Sequence, residues 1–562
     1  MNFLRDLDVL VLGLGESGLA MARWCARHGA RVRVWDSRDQ PPHADTLRAE
    51  WPTVERLSGD LGDGLPTGVQ LVLKSPGLMP HDMRIAPLLA SARATGVAVM
   101  AELDLFVQAL ADLKLQTTPM AAEVAGTTEP RADDVVVVVD ESDDRDDSDH
   151  SDVDDEPAPV LVAPPPPDPA YAPQIVAITG TNGKTTTTAM AALLIERSGR
   201  RVAMAGNIMP TMLDRLGAML ERPRDDWAQV WVLELSSFQL ADSGPFEPSA
   251  AAVLNLSQDH LDWHGDTAAY ASAKARIFGQ QATMIINRDD AQVEALVPAP
   301  VVSRVGRGKP VSTARRVLRF GVTPPERPGD FGLVVENGMA WLVRALPVDE
   351  TLKRRKDEVD EIHLQRLMPA DALRVRGRHN AANALAALAL ATAIGCPLAP
   401  MLHGLREYTG EPHRVQWIAT LGEVEAFDDS KGTNVGATVA ALEGLGSDKA
   451  PGKLLLILGG DGKGQDFGPL RNPVQQHARA VALIGRDAAT IAAVLADTGV
   501  PMQHHVSLPE AVAWCFEQAR AGDAVLLSPA CASLDMFGSY VQRGEVFVDA
   551  VRALAADRGQ SI

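Results

Sequence analysis

Short apolar runs alternate with stretches of helical spacing along most of this chain. Val9–Leu12, Arg31–Trp35 and Leu71–Lys74 read as strands, with helical spacing over Gly18–His28 between the first two. That order predicts a parallel sheet wrapped by helices. The pattern returns with strands over Ile175–Thr179, Gln229–Leu235, Ala250–Leu254 and Thr283–Ile286. It returns again from about Glu411, with strands over Val424–Phe427, Lys453–Leu458, Ala480–Ile484 and Ala524–Leu527. A chain of 562 residues is too long for one core. The expected fold class is α/β in three domains: Rossmann-like over 1–100, a central P-loop ATPase-like α/β domain over 101–410, and a doubly wound Rossmann-like domain over 411–562.

Two stretches break the alternation. Residues 112–173 carry an acidic run and the Pro164–Pro167 cluster, and bury too little apolar surface to fold. They read as a disordered insertion, with Val135–Val139 as an apolar patch kept soluble by flanking aspartates. Composition does not reveal a partner for it. From about 300 to 372 the periodicity blurs, and charged Lys353–Arg366 reads as a second, helical or loose insertion.

Charge is uneven. Residues 131–156 hold 13 Asp and Glu against two Arg, a net of −11, so the formal −20 less −11 leaves −9 for the rest. An acidic chain without a basic, aromatic-interleaved stripe is not expected to bind nucleic acid. No run approaches a membrane span, the N-terminus lacks a signal-peptide pattern, and the four cysteines form no Cys-x-x-Cys pair. A reducing cytoplasm and no membrane insertion are expected.

The most informative segment is Thr179-Gly180-Thr181-Asn182-Gly183-Lys184-Thr185-Thr186, between a strand and an alanine-rich helix. Its glycines let backbone N–H groups surround an anion at the positive end of the helix. Lys184 can reach terminal phosphates, and the Thr185 hydroxyl can hold Mg²⁺. This is an ATP site. Glu234 ends a neighbouring strand and can share that ion. His260 follows the next strand and suits a metal, a substrate or a purely structural role. Lys274 reads as either a phosphate contact or a surface residue. Asn380 and Asn383, at i and i+3 on a helix, suit an adenine edge.

Near the start, Gly13-Leu-Gly15-Glu16-Ser17-Gly18 opens a helix and Asp36 ends the next strand. This is a dinucleotide fingerprint in form, but it suits any diphosphate-linked nucleotide. In the last third, Glu411–Arg414, Asp428–Asn434, Gly459–Gly464 and Ser528–Asp535 are polar loops expected on one face of a sheet.

Together these motifs resemble the Mur ligase superfamily, most closely its D-glutamate-adding branch, over nearly the whole chain. The resemblance implies ATP-dependent joining of D-glutamate to UDP-N-acetylmuramoyl-L-alanine through an acyl phosphate, in cytoplasmic peptidoglycan precursor synthesis. A monomer is expected, and because the nucleotide face and the D-glutamate loops lie on different domains, the third domain is expected to close on ATP. The resemblance also implies that Glu16, Ser17, Asp36, Ser37, Arg38, Ser75, Gly77 and Asn207, with Gly13, Gly15, Gly18 and His260, hold the UDP-substrate. Gly180–Thr186 would cradle phosphates, and Asn380, Asn383, Arg414 and Asp429 would contact adenosine. Thr185 and Glu234 would bind one Mg²⁺, and His260 and Lys274, the latter carbamylated, a second. Lys431, Thr433, Lys463, Ser533, Leu534 and Tyr540 would receive D-glutamate; Tyr540 stands where the family often has Phe, with contact expected through backbone. The acidic insertion falls where the family has a short connector. Catalysis would rest on Lys184, Glu234, His260, Lys274 and Lys463.

The alternatives are a sister Mur ligase or folylpolyglutamate synthase taking another amino acid, an NAD-dependent oxidoreductase built on the first loop, and a non-catalytic scaffold. An amino-acid screen, an NAD titration and a turnover measurement, respectively, discriminate them.

Overall fold

The computed structural model describes residues 2–62, 64–116, 170–303, 311–348, 361–375 and 377–560. The first sheet is parallel, in the spatial order Glu55–Leu57, Arg31–Trp35, Asp8–Leu12, Leu71–Lys74, Ala98–Met100. Its first helix, Glu16–Arg27, starts two residues earlier than the spacing predicts, directly after an extended Gly15 that ends the turn begun at Gly13, φ 90°. Leu10, Leu12, Trp35, Val72, Ile85 and Leu88 form its core.

The central sheet is also parallel: Val317–Phe320, Thr283–Asn287, Ala250–Val253, Gln174–Thr179, Val230–Glu234, Val202–Gly206. The helix Lys184–Arg197 packs on it together with Arg378–Ala393. In the latter, every residue from Ala384 to Ala391 is fully buried. Leu385, Leu388 and Leu390 contribute roughly 1.5–3 kcal/mol each by burial, whereas the alanines between them let two helices and a sheet approach closely.

The blurred stretch holds antiparallel structure. Phe331–Glu336, Met339–Pro347 and Ile362–Pro369 form a three-stranded sheet. Lys353–Arg366 is therefore not a helical or loose insertion throughout: its end is strand, made amphipathic by alternation that the charged residues before it obscure. The remainder, 353–360, lies outside the described residues, as do 117–169 and with them most of the acidic insertion. The helix Glu102–Gln116 runs past residue 112, where that insertion was expected to begin.

The last sheet has the order Gln416–Leu421, Val424–Asp428, Ala524–Leu527, Leu454–Gly459, Ala478–Ile484, Met502–His504, with only the first strand antiparallel to its neighbour. Among the described residues no helix is long and apolar enough to cross a membrane. All four cysteines are free and buried.

Candidate active site

The strand Gln174–Thr179 ends inside the central sheet, turns through Gly180–Gly183 and enters the helix Lys184–Arg197. Gly183 has φ 79°, and a Cβ there would lie 2.5 Å from Asn383 Oδ1, so backbone and neighbour both demand glycine. Lys184 Nζ donates to Gly180 O at 3.0 Å and to Thr181 O at 2.8 Å. Burial lowers its pKa, with Glu234 opposing. Thr185 Oγ1 donates to Glu234 Oε2 at 2.7 Å, and Asn207 Nδ2 donates to Glu234 Oε1 at 3.0 Å. Asn207, expected with the UDP-substrate, thus sits against the buried glutamate at the end of an adjacent strand.

Lys274 is 1% exposed, which removes the surface reading. Its Nζ donates to Gly180 O at 2.8 Å and Thr179 Oγ1 at 3.3 Å, and lies 4.7 Å from the centre of the Tyr270 ring. Burial, then the nearby Lys184 charge, pushes its pKa well below the usual lysine range. His260 caps the short helix Leu261–His264 in a left-handed conformation, φ 53°, with its ring 4.7 Å from that of Phe238. Burial lowers its pKa; Asp259 opposes this, and Lys463, Lys184 and Lys274 add to it, so these charges share one neighbourhood.

The turn is pinned from both sides. Asn182 N donates to Asn255 Oδ1 at 2.8 Å, while Asn434 Nδ2 reaches Asn182 Oδ1 at 3.2 Å from the last domain. Thr181 Oγ1 lies 3.1 Å from the Tyr270 hydroxyl, and Thr186 is buried beside Tyr408. Arg414 Nη2 donates to Thr185 Oγ1 at 2.5 Å. Arg414 and Asn380 also line a cavity of about 530 Å³, with Glu411, Trp417 and Phe427. Asn383 takes a different place: it donates to Asn380 Oδ1 at 3.2 Å and accepts from Thr187 Oγ1 at 3.3 Å beneath the turn. Asp429 is buried, accepting from Ser528 Oγ at 2.6 Å and Val415 N at 3.3 Å, and burial pushes its pKa up to about 7.

Three polar loops of the last domain leave the C-terminal ends of the adjacent inner strands Val424–Asp428, Ala524–Leu527 and Leu454–Gly459. Lys431 Nζ lies 3.7 Å from the centre of the Tyr540 ring, and burial, then Arg414, lowers its pKa to about 8. The Tyr540 carbonyl accepts from Ser430 Oγ at 2.7 Å. Thr433 is half-buried, Ser533 is buried and Leu534 is exposed. Lys463 is exposed and left-handed, φ 50°, held there by its N–H donating to Asp461 Oδ1 at 3.1 Å.

In the first domain, a Cβ on Gly18 would fall 1.9 Å from Gly13 O, so the helix start can approach the loop only as glycine. Open space surrounds Gly15 and Gly77. Leu14 N donates to Asp36 Oδ2 at 2.7 Å and Arg38 Nε to Asp36 Oδ1 at 2.8 Å. Burial raises the Asp36 pKa, but these bonds outweigh it and hold the carboxyl at about 2. Ser75 Oγ donates to Gly13 O at 3.2 Å, Glu16 lies 3.3 Å from His43 Nε2, and Ser37 is half-buried beside them.

Sequence reasoning missed Arg543. It is 1% exposed and joins two loops, donating to Ser430 Oγ at 3.0 Å, Ser430 O at 2.7 Å and Cys531 O at 3.1 Å. No spacing marks it, since an arginine in a mixed helix reads as solvated. Asn434 ends one of the polar loops and Asn255 directly follows the predicted strand Ala250–Leu254, but no local spacing gives either a role; only the fold brings both onto Asn182.

A strand–turn–helix nucleotide cradle, bonded to loops of a second α/β domain, defines a modular nucleotide-dependent enzyme. Three profiles match in order: the Mur ligase MurD-like N-terminal domain over 7–101, the Mur ligase middle domain over 178–311 and the Mur ligase glutamate ligase domain over 413–531. The chain is 52% identical over 602 aligned residues to the UDP-N-acetylmuramoylalanine–D-glutamate ligase of a Polaromonas species, covering all of both chains. It is 53% identical to the ligase of that name from Albidiferax ferrireducens, covering 100% of this chain and 98% of the relative. The like-named Burkholderia pseudomallei ligase is 49% identical, with 99% and 98% covered. The chain belongs to the Mur ligase family. Its added length is not peculiar to it, because these relatives align end to end. The fold is similar to that of the UDP-N-acetylmuramate–alanine ligase MurC of Thermotoga maritima, TM-score 0.52 at 18% identity, covering 97% of this chain and 99% of that one. It is also similar to the MurF ligase of that organism in complex with ADP, TM-score 0.51 at 16% identity, with 99% and 96% covered.

Proposed function

We propose that this chain is a cytoplasmic ATP-dependent ligase that joins D-glutamate to UDP-N-acetylmuramoyl-L-alanine in peptidoglycan precursor synthesis. The observation that carries the reading is the Thr185–Glu234 pair beside the Gly180–Gly183 turn, with Arg414 reaching it from the domain that bears the lysine loops. The choice of amino acid rests on the names of relatives about half identical end to end. The division into 1–100, 101–410 and 411–562 assigns the UDP-substrate, ATP and D-glutamate to successive domains. All the residues involved come from one chain, so a monomer suffices.

Gly180, Thr181, Asn182, Gly183, Lys184, Thr185 and Thr186 cradle the ATP phosphates, and Asn380 and Arg414 face adenosine in the cavity. Asn383 and Asp429 shape that site from below through the bonds described. A carboxylate oxygen of the alanyl group attacks the γ-phosphorus, the bond to ADP breaks, and an acyl phosphate forms. The free amine of D-glutamate then attacks that carbonyl, phosphate leaves, and the nitrogen gives up one proton and keeps the other as the amide N–H. Lys184 offsets charge at the transferred group, while Lys431 and Lys463 pair with the incoming dicarboxylate, helped by Thr433, Ser533, Leu534 and Tyr540. Gly13–Gly18, Asp36, Ser37, Arg38, Ser75 and Gly77 hold the UDP-substrate.

Among the described residues no three His, Cys, Asp or Glu side chains cluster to form a metal cage. Mg²⁺ does not require one: a single carboxylate and a hydroxyl, completed by phosphates and water, suit it, and Glu234 and Thr185 supply both oxygens. A second ion fits His260 and Lys274 only if the lysine is carbamylated, because an ammonium is no ligand. The ions supply charge neutralisation for phosphoryl transfer.

The test is phosphate release from ATP, Mg²⁺, UDP-N-acetylmuramoyl-L-alanine and D-glutamate, with each omitted in turn. Release that requires all four supports the reading. Turnover with an L-amino acid or diaminopimelate in place of D-glutamate overturns it.

A further inference from the structure

Glu102 opens the helix Glu102–Gln116 and is 1% exposed. Its carboxyl group faces two elements. From the helix Met212–Leu220, Leu213 N donates to Oε1 at 3.1 Å. From the helix Glu16–Arg27, the Ser17 hydroxyl lies against the same carboxyl and favours its charged form, as does the Met212 amide. The second oxygen, Oε2, is buried without a hydrogen-bond partner. An ionised carboxylate with a bare buried oxygen is costly, whereas a protonated one turns that oxygen into a donor. Of the charged groups on the facing helices, Asp214 repels the carboxylate, Arg23 is taken by Glu50 at 2.6 Å and Asp214 at 3.5 Å, and Arg27 by Glu221 at 3.2 Å; Glu16 and Arg215 are the others. Among the described residues no cation forms an ion pair with Glu102. Burial accordingly raises its pKa to about 7.

Ser17 belongs to the loop assigned above to the UDP-substrate, and this inference rests on that assignment. We propose that Glu102 is a positioning residue for the substrate's diphosphate. When neutral, it donates its proton to Ser17 Oγ and leaves the Ser17 hydroxyl hydrogen for a phosphate oxygen. When ionised, it takes that hydrogen back and sets a buried negative charge behind the loop. Binding of the diphosphate therefore takes up a proton at Glu102, and no bond other than O–H is made or broken. The diphosphate diester keeps its own charge across the same range, so any pH dependence reports the protein.

The experiment is calorimetric titration of the full-length enzyme with UDP-N-acetylmuramoyl-L-alanine, without ATP, at about pH 6 and about pH 8. One proton with a midpoint near neutrality predicts that Kd weakens about tenfold between them. Glu102→Gln, whose amide donates to Ser17 at any pH, is expected to bind equally at both, near the wild-type value at the lower pH. Ser17→Ala is expected to bind weakly and without pH dependence, and it carries the test if Glu102→Gln does not fold. A wild-type Kd that does not change with pH, or a slope retained in either variant, overturns the inference while leaving the substrate assignment intact. No binding by the wild type at either pH overturns the assignment and the inference together.

Discussion

Lys184 and Lys274 donate to the same oxygen, Gly180 O, at 3.0 and 2.8 Å. Two ammonium groups sharing one acceptor in a buried site raise the cost of each other's charge. Lys274 bears more of this: burial, then the Lys184 charge, pushes its pKa well below the usual lysine range, with Asp259 and Glu234 only partly opposing. Lowering the pKa of a lysine raises its share of free amine, the form that is a nucleophile for carbon dioxide. We expect a carbamate signal on adding ¹³C-bicarbonate, absent in Lys274→Met, and a loss of ligase turnover of about a hundredfold or more in that variant. Activity should fall as pH drops, because protonating the amine removes the carbamate. A wild-type spectrum without that signal would count against the second metal site.

Arg414 bridges the cavity and the phosphate turn, so its guanidinium reports on both. Replacement by alanine is expected to raise the KM for ATP by about tenfold or more while leaving the KM for the UDP-substrate within a factor of about two. Arg414→Lys should not restore the ATP value, since a point charge cannot reach Thr185 and line the cavity at once. Initial-rate kinetics with one substrate varied at a time would show it.

What the letters carried and what they did not divides along physical lines. The strands at Val9, Ile175, Ala250 and Ala524 were legible because strands buried on both faces read as continuous apolar runs. The short edge strands Glu55–Leu57 and Met502–His504 were not, since half-exposed edges have no such run. Nor was the antiparallel sheet after Phe331, whose last strand mixes Arg366 and His363 with apolar residues. Around the turn, the placement of Thr185 near Glu234 followed from strand ends in a parallel sheet. The contacts from Asn434 and Arg414 span hundreds of residues, and no local spacing encodes them. Asn380 and Asn383 share a helix face as expected, yet only Asn380 lines the cavity, because Thr187 and Gly183 claim the other amide.

Lys74 and Asp242 join the first and central domains by a buried ion pair at 2.6 Å, with side chains 3% and 14% exposed. Removing one partner strands the other charge. Lys74→Met is expected to destabilise the protein by about 3–5 kcal/mol, while Lys74→Met combined with Asp242→Leu recovers most of that. Urea denaturation of the two variants against wild type measures the difference. Equal stabilities for the single and double variants would show that the pair is solvated in solution.

Asp429 gives a pH prediction with a definite sign. Unfolded, its carboxyl titrates near 3.8; folded, burial raises it to about 7 against the opposing Ser528 bond and Arg414 charge. The folded state therefore binds a proton that the unfolded chain has released throughout that interval. Stability is complete below the unfolded value and declines as pH rises through the folded one, by on the order of a few kcal/mol at one pKa unit per 1.36 kcal/mol. Asp429→Asn cannot ionise, so its urea midpoint should change less between about pH 5 and about pH 8, and should exceed the wild-type midpoint at the alkaline end. Glu102 titrates with the same sign, so the steepest flattening is expected when Asp429→Asn is combined with Glu102→Gln. If the single variant keeps the full wild-type slope, the buried carboxyl is being held ionised, and the Ser528 hydroxyl and the Arg414 guanidinium outweigh its desolvation.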